Sequence, residues 1–167
     1  MNIPTTHTAI IISPEDREVM FSIAYWITNH RKSVKKIRQL AGTEERYMLI
    51  IREIDRLELQ LTKARYLRSE ATLTLAEWLD TLNHFHWRCA YCGKKSFEVM
   101  SHIRPLPDGG TTLDNCVPGC YTCIRNNRKD NPIGVKGREE ISEGEQGWLV
   151  NHGRGQAPHP TVHPPVV

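Results

Sequence analysis

The sequence predicts a mainly α-helical chain that carries one small ββα module in its second half. Before residue 70, apolar residues recur at alternating spacings of three and four, which is the period of an amphipathic helix. Between residues 89 and 123, two C-x-x-C pairs enclose a strand pattern, a loop, a second strand pattern and the start of a helix. The 167 residues leave room for one ordinary domain, or for a small metal-stapled module with a helical attachment.

Residues 1–13 are expected to form an N-terminal arm, with the first helix beginning directly after it. Ser13 can cap that helix, and Pro14 suits its first position, where an N–H is not needed. An apolar stripe follows, and we expect one helix to carry all of it up to an Ala-Gly break at residue 41. The stripe comprises Met20, Ile23, Ile27, His30, Val34 and Ile37. We expect His30 to be packed or exposed at the helix end rather than to act as a ligand.

A second amphipathic helix repeats the pattern after that break. Its stripe comprises Tyr47, Ile50, Ile54, Leu57, Leu61 and Ala64. Two matched helices joined by a very short turn predict an antiparallel hairpin over residues 14–70. Each stripe is then buried on the other or on a partner, so self-association or docking of a protein partner is one role for the hairpin. The basic run of the first helix has two interpretations, a phosphate contact and a solvated face. It comprises Arg31, Lys32, Lys35, Lys36 and Arg38.

A third helix is predicted to begin at Thr74, because Thr74 and Glu77 have the spacing of a capping box. It carries apolar residues toward Trp87 and ends where the first cysteine pair begins. Together with the segment that follows, this helix forms the predicted module of residues 73–135. Residues 144–167 are rich in proline and glycine and cannot bury a core, so we expect them to form a disordered tail.

The cysteines predict a metal site. Four of the five form the two C-x-x-C pairs: Cys89, Cys92, Cys120 and Cys123. A C-x-x-C turn lets two sulfurs converge on one ion, so four thiolates at these spacings predict a tetrahedral, structural zinc site with no position left for water. Redox pairs, or disulfides in an exported protein, are the alternative. The fifth cysteine, Cys116, is expected to be a buried small hydrophobic residue.

Charge and hydropathy exclude several classes of protein. The formal net charge of +3 permits a polyanionic partner without demanding one. No apolar run approaches the roughly 20 residues of a membrane span, and the N-terminus lacks the pattern of a signal peptide. We therefore expect a cytoplasmic protein that does not bind membranes.

The segment from Leu73 to Pro132 resembles the HNH family of nucleases. The similar motifs are LTLAEW, CAYCG, HIRPL, GGTT and DNCVPGC, followed by the second C-x-x-C pair. The resemblance implies a ββα-metal fold stapled by a four-cysteine zinc, and a metal-dependent endonuclease that hydrolyses DNA phosphodiester bonds. It also makes a phage or mobile element the expected biological setting. The helical hairpin lies outside the region of resemblance.

The resemblance implies roles for individual residues. His102 matches the family's general base, which removes a proton from the attacking water. Asn115 matches the asparagine whose amide braces the loop that carries this histidine. A separate Mg²⁺ or Mn²⁺ ion is expected to stabilise the charge on the scissile phosphate.

Two positions depart from the family pattern, and both concern that second ion. Ser101 stands where the family usually has aspartate, and Ile124 stands where it usually has histidine or asparagine. Ser101 still offers a hydroxyl oxygen to the ion. Asn127, one helical turn beyond Ile124, and its neighbour Asn126 offer amide oxygens. The alternative function is therefore a weakened or inactive HNH-like module that binds nucleic acid or a protein partner.

The charge of the module favours DNA as the partner. Residues 85–137 contain eight basic and four acidic side chains, an excess of four, against an excess of three in the whole chain. Phosphate contacts by such residues give salt-dependent affinity that is largely independent of sequence. A solubilising surface is the alternative explanation. We expect phosphate contacts from Arg104, Arg125, Arg128 and Lys129.

Overall fold

The computed structural model describes residues 12–126, and the structural statements below concern that range. Within it the chain is mainly helical and has one two-stranded antiparallel sheet. The elements in chain order are α1 (Pro14–Asn29), α2 (Val34–Ala41), α3 (Glu44–Tyr66), α4 (Leu75–His84), β1 (Val99–His102), β2 (Cys116–Gly119) and α5 (Tyr121–Arg125). Most of the predicted arm and all of the predicted tail lie outside the described residues. None of the helices in this range has both the length and the apolar character needed to cross a membrane.

The first helix begins as predicted but ends early. The Ser13 hydroxyl accepts the N–H of Asp16 at 3.1 Å and so caps α1. The helix ends at Asn29, His30 is extended, and a second capping residue, Ser33, starts α2. The prediction of one continuous helix across the whole apolar stripe is therefore wrong.

Polar side chains contact backbone carbonyls at the end of α1. The Asn29 amide donates to the Tyr25 carbonyl, and His30 Nδ1 lies 2.9 Å from the Trp26 carbonyl oxygen. Of these two carbonyls, that of Trp26 is the one that the His30 N–H would occupy if the helix continued. The four residues between α1 and α2 replace about one helical turn, so the apolar spacing continues across the break. The exposed His30 ring also stacks on the Trp26 ring, with centroids 5.0 Å apart, so of the two expected states of His30, packed or exposed at a helix end, the structure has the second.

The N-terminal region is a set of three packed helices rather than a two-helix hairpin. A tight turn joins α2 to α3, and Gly42 adopts a φ of 76° there, which favours glycine. Thr43 caps α3 through its side chain. α1 packs against α2, α3 and α4, and α2 packs against α3. Apart from His30 and Val34, which are exposed, the apolar stripes of the predicted hairpin therefore pack against each other and against α4.

α4 begins with the predicted capping box. Thr74 accepts the N–H of Glu77, and the Glu77 carboxylate accepts the N–H of Thr74 at 2.8 Å. Trp78, one residue further, is fully buried. The core around it combines residues of α1, α2, α3 and α4 with Met100 of β1 and Cys116 of β2. The helices and the sheet therefore share one hydrophobic core.

The two strands determine which side chains face this core. β1 and β2 pair antiparallel, with Ser101 opposite Val117 and His102 opposite Cys116. Side chains alternate between the two faces of a strand. Because Met100 and Cys116 belong to the core, His102 lies on the core-facing side at the end of β1. Ser101 lies on the opposite face.

The core also contains a buried carboxylate, Glu53 of α3, which is 3% exposed. The Trp78 indole donates to Glu53 Oε2 at 2.9 Å, and Arg56 Nη1 lies 3.4 Å from the same oxygen. The Arg56 guanidinium in turn lies over the Phe97 ring, 4.6 Å from its centroid. Burial raises the pKa of Glu53, and the positive charge of Arg56 opposes part of that rise.

We expect Glu53 to make the fold less stable as pH rises. Its folded pKa lies above the ordinary value of 4.5, so the folded chain keeps a proton that the unfolded chain has already released. The stability from this group is present below pH 4.5 and is lost as pH rises through the folded pKa. Glu53→Gln keeps an acceptor for Trp78 but cannot ionise. Relative to the native chain, its free energy of unfolding should therefore increase as pH rises from 4.5.

Urea titrations followed by circular dichroism across this pH range measure the effect. Asp55→Asn, which removes an exposed carboxylate from the same helix, is the matched control and should follow the native pH dependence. If the native and Glu53→Gln chains show the same pH dependence, Glu53 does not titrate in the core.

Candidate metal centre and histidine site

The two C-x-x-C pairs meet beside the end of β2. The N–H of Ala90 donates to the Pro118 carbonyl at 2.8 Å, which holds the first pair next to this strand. The second pair begins directly after β2, where Cys120 precedes α5. Gly93 closes the first turn, with a φ of 64° and an N–H that donates to the Cys89 carbonyl. As a result, all four Sγ atoms lie within 4.8 Å of one another.

This cluster fits a metal ion such as zinc. Zn–S bonds of about 2.3 Å in a tetrahedron put the sulfurs about 3.8 Å apart, so small inward movements of the side chains complete the shell. Three of the cysteines are buried, and Cys92 is half-exposed. Four sulfur ligands leave no position for water, so the chemistry supplied by zinc here would be structural. The prediction that these four cysteines form one group able to hold a metal is confirmed.

Backbone N–H groups favour the thiolate at one of the four sulfurs. Burial opposes ionisation of Cys92, but hydrogen bonds from the backbone of Lys95 and Lys94 outweigh it and lower the pKa of Cys92 to about 7. Burial raises the pKa of Cys89, and burial together with the neighbouring thiols raises the pKa of Cys123 to about 12. Of Cys89, Cys92 and Cys123, Cys92 therefore forms most readily the thiolate that a metal binds.

The fifth cysteine does not belong to the metal group. Cys116 on β2 is fully buried and lies in the hydrophobic core with Met100. The prediction that it acts as a small hydrophobic residue is confirmed.

His102 is held at the end of β1 through its Nε2 atom. Nε2 lies 3.0 Å from Thr111 Oγ1, and this hydroxyl donates to the Gln60 carbonyl of α3 at 3.2 Å. The His102 side chain is half-buried, whereas Thr111 is fully buried. Thr111 lies within the GGTT motif. The motif does not reveal the contact between Thr111 and Gln60, because Gln60 belongs to a helix that is distant in sequence.

Asn115 holds together the loop that follows His102. Its Oδ1 accepts the N–H of Arg104 at 2.8 Å, and its Nδ2 donates to the carbonyls of Arg104 and Gly110 at 3.0 and 2.6 Å. Asn115 is 1% exposed. The loop passes so close to this amide that a Cβ on Gly109 would lie 2.5 Å from Asn115 Nδ2 and 2.5 Å from the Arg104 carbonyl oxygen, a clash that only glycine avoids. The side-chain amide thus fixes the backbone next to the histidine.

Ser101 and Ile124 lie on the other face of the sheet. Ser101 is 5% exposed and shares a 3.0 Å hydrogen bond with the Tyr91 hydroxyl. A Cβ built on Gly119 would lie 2.8 Å from Ile124 Cδ1 and 3.4 Å from Ser101 Cβ, so both side chains adjoin Gly119. His102 projects from the opposite face of β1. The predicted use of Ser101 as an ion ligand beside His102 therefore does not fit this geometry, because its hydroxyl is turned away and buried against Tyr91.

The other predicted site residues are spread over the surface or lie beyond the described range. Arg104 is exposed, with Nη2 3.6 Å from an Asp114 carboxylate oxygen. Arg125 and Asn126 are exposed at the end of α5. Three predicted residues lie outside residues 12–126: Asn127, Arg128 and Lys129.

Comparison with protein-family models, with curated proteins and with solved structures found no match for this chain.

We expect the protein to bind one zinc ion per chain through the four cysteines. Cys92→Ser removes one of the four ligands, so it should lose bound zinc together with the order of both strands and α5. Cys116→Ala removes a buried thiol outside the group and is the matched control, which should retain full zinc. Elemental analysis of the purified chains measures the metal, and circular dichroism before and after chelation measures the fold. Equal zinc content in both variants, or a native chain that folds fully without metal, would contradict this assignment.

Proposed function

We propose that this protein is a metal-dependent endonuclease of the HNH type that hydrolyses DNA phosphodiester bonds, with His102 as the general base. The observation that carries the proposal is the set of three hydrogen bonds by which the Asn115 amide fixes the loop after His102. A buried amide that organises the backbone next to a half-exposed histidine is an arrangement that positions a side chain for chemistry. With a metal bound, the four-cysteine group beside β2 would join the segments on either side of the same strands.

In the proposed reaction, His102 accepts a proton from a water molecule. The water oxygen forms a bond to phosphorus, the bond from phosphorus to the leaving oxygen breaks, and the leaving oxygen takes up a proton from solvent. Imidazole suits this task because its pKa in water lies near neutrality. The reaction consumes one water and leaves one phosphomonoester end and one hydroxyl end.

The described residues do not fit a site for a catalytic Mg²⁺ or Mn²⁺ ion. Within residues 12–126, the four cysteines are the only group of three or more histidine, cysteine or acidic side chains arranged to hold a metal. Mg²⁺ prefers carboxylate oxygens, and Ser101 and Ile124 provide none. A divalent ion in the proposed reaction would supply charge stabilisation at the phosphate, and phosphate oxygens and water would be its main ligands.

Exposed basic side chains support DNA as the substrate. Arg104 lies in the loop fixed by Asn115, and Arg125 lies at the end of the metal-stapled α5. Lys95 adds a third cation beside this helix, where its Nζ donates to Thr122 Oγ1 at 3.0 Å. Such cations bind phosphates without reading base sequence, and their affinity falls as salt rises.

The zinc-loaded protein is expected to nick supercoiled plasmid DNA when Mn²⁺ is added. It should nick more slowly with Mg²⁺, which dehydrates reluctantly and demands near-ideal geometry, and not at all with zinc alone. His102→Ala should lower the rate by roughly 10²- to 10⁴-fold, the usual contribution of a general base. Gel electrophoresis of the nicked product over time measures the rate.

His30→Ala is the matched control, because it removes an exposed histidine at the end of α1. It should nick at the native rate. A His102→Ala chain that nicks as fast as the native chain would contradict the assignment of His102 as base.

The second candidate function is a nucleic-acid-binding module without turnover. The observation that favours it is the contact on the other face of the sheet, where Ser101 is hydrogen-bonded to Tyr91 and Ile124 packs beside Gly119. A hydroxyl and an alkyl group occupy the two positions where the HNH family usually places ion ligands. Such a module would bind DNA in a salt-sensitive way and leave it uncut.

Restoring both ligands tests whether an ion on this face of the sheet can serve His102. Ser101 and Ile124 adjoin the same glycine, so Ser101→Asp combined with Ile124→His places a carboxylate and an imidazole next to each other. Because Ser101 lies on the face of β1 opposite to His102, an ion held there would lie away from the attacking water, and we expect the double variant to nick plasmid in Mg²⁺ no faster than the native chain. A folded, zinc-loaded double variant that nicks at least about tenfold faster, and loses this gain when His102→Ala is added, would contradict this geometry and support these positions as the ion ligands of an HNH-type reaction.

A further inference from the structure

The hydroxyl of Thr111 determines which nitrogen of His102 carries a proton. A threonine hydroxyl has one proton to donate, and Thr111 donates it to the Gln60 carbonyl at 3.2 Å. Towards His102 it can therefore only accept. The 3.0 Å contact with His102 Nε2 is then a hydrogen bond donated by Nε2–H. In a neutral imidazole this leaves Nδ1 as the nitrogen with the lone pair.

We propose that Thr111 is the positioning residue of His102, which fixes its Nε2–H tautomer and anchors the ring to helix α3. As far as it concerns catalysis, this inference rests on the proposed function, because a base needs its lone pair at a defined place. Nδ1 is then the atom that accepts the proton of the attacking water. In the proposed tautomer, protonation of Nδ1 gives the imidazolium cation. In the other neutral tautomer, Nδ1 already carries a proton and has no lone pair in the ring plane, so it cannot accept a proton from water.

The backbone of Thr111 is as firmly held as its side chain. Its N–H donates to the Glu70 carbonyl at 2.8 Å, and its carbonyl accepts the N–H groups of Thr72 and Leu73 at 3.1 and 3.0 Å. Ser69 adds a contact with the same loop, since its hydroxyl lies 2.6 Å from the Gly109 carbonyl oxygen. The segment between α3 and α4 therefore holds the same loop that Asn115 holds.

These contacts give the N-terminal helices a role in the site. Gln60 is part of α3, and α3 packs against β1. The Gln60 carbonyl is the last acceptor in the series of hydrogen bonds that runs from His102 through Thr111. Thr111 is 0% exposed, so water does not compete for its hydroxyl. The orientation of the His102 ring thus depends on a helix that lies outside the segment resembling HNH nucleases.

The tautomer can be measured without any activity. Long-range ¹⁵N–¹H correlation NMR distinguishes a protonated imidazole nitrogen from one with a lone pair, and comparison with His102→Ala assigns the His102 signals among the eight histidines. At a pH where His102 is neutral, we expect the native, zinc-loaded chain to show a protonated Nε2. Thr111→Ser should keep this signature, and Thr111→Val, which has a similar shape but no hydroxyl, should give a mixture of tautomers.

Thr112→Val is the matched control. Thr112 is also buried, but its hydroxyl donates to Asp114 Oδ1 at 2.6 Å and does not contact His102. This variant should show the native tautomer. A protonated Nδ1 in the native chain, or a Thr111→Val chain that is folded and keeps the native tautomer, would overturn the inference.

Plasmid nicking then separates this inference from the proposed function. If the chain is a nuclease, Thr111→Val should lower kcat about tenfold with little change in KM, as expected for the loss of one hydrogen bond, and Thr111→Ser should restore it. A native chain that shows the Nε2–H tautomer but does not nick supports the positioning by Thr111 and overturns the nuclease. A native chain that nicks but shows a protonated Nδ1 overturns the positioning and leaves the nuclease standing.

Discussion

The convergence of four cysteine sulfurs holds together the part of the chain with the least core of its own. The two strands have four residues each and α5 has five, and elements this short are not stable alone in water. The Sγ atoms lie within 4.8 Å of one another, so one ion can join the turn before β1 to the start of α5. The Glu98 carboxylate adds a cap by accepting the Tyr121 N–H at 2.8 Å. Every feature of the histidine site depends on this arrangement of the strands.

Packing against the N-terminal helices also stabilises the sheet. Met100 and Cys116 pack into the same core as Trp78, and Thr111 connects the loop beside His102 to α3. The face of the sheet that carries His102 is therefore the face that the helices cover in part. The face that carries Ser101 is closed by a different set of contacts, which explains why adjacent residues of one strand have such different surroundings.

Features with local causes could be predicted from the sequence. The caps at Ser13 and Thr74 depend on residues three positions away, and the cysteine group depends on the C-x-x-C turn. The break at His30 could not be predicted from the apolar pattern, because the non-helical segment replaces about one turn and preserves the spacing. The burial of Glu53 could not be predicted from the apolar pattern either. Glu53 lies three residues after the buried Ile50 and so on the buried face of α3, but a carboxylate is not counted as a member of an apolar stripe.

The sequence by itself therefore determined the four-cysteine group, the starts of α1 and α4, and the position of Cys116 as a core residue. Each of these follows from spacing or from the character of a single side chain. Only the tertiary structure decided that Ser101 is buried against Tyr91, that Trp78 binds Glu53 and that Thr111 stands between His102 and α3. The last two contacts join residues 25 and 51 positions apart in the chain. No local pattern encodes such pairs, because they depend on how the helices pack around the shared core.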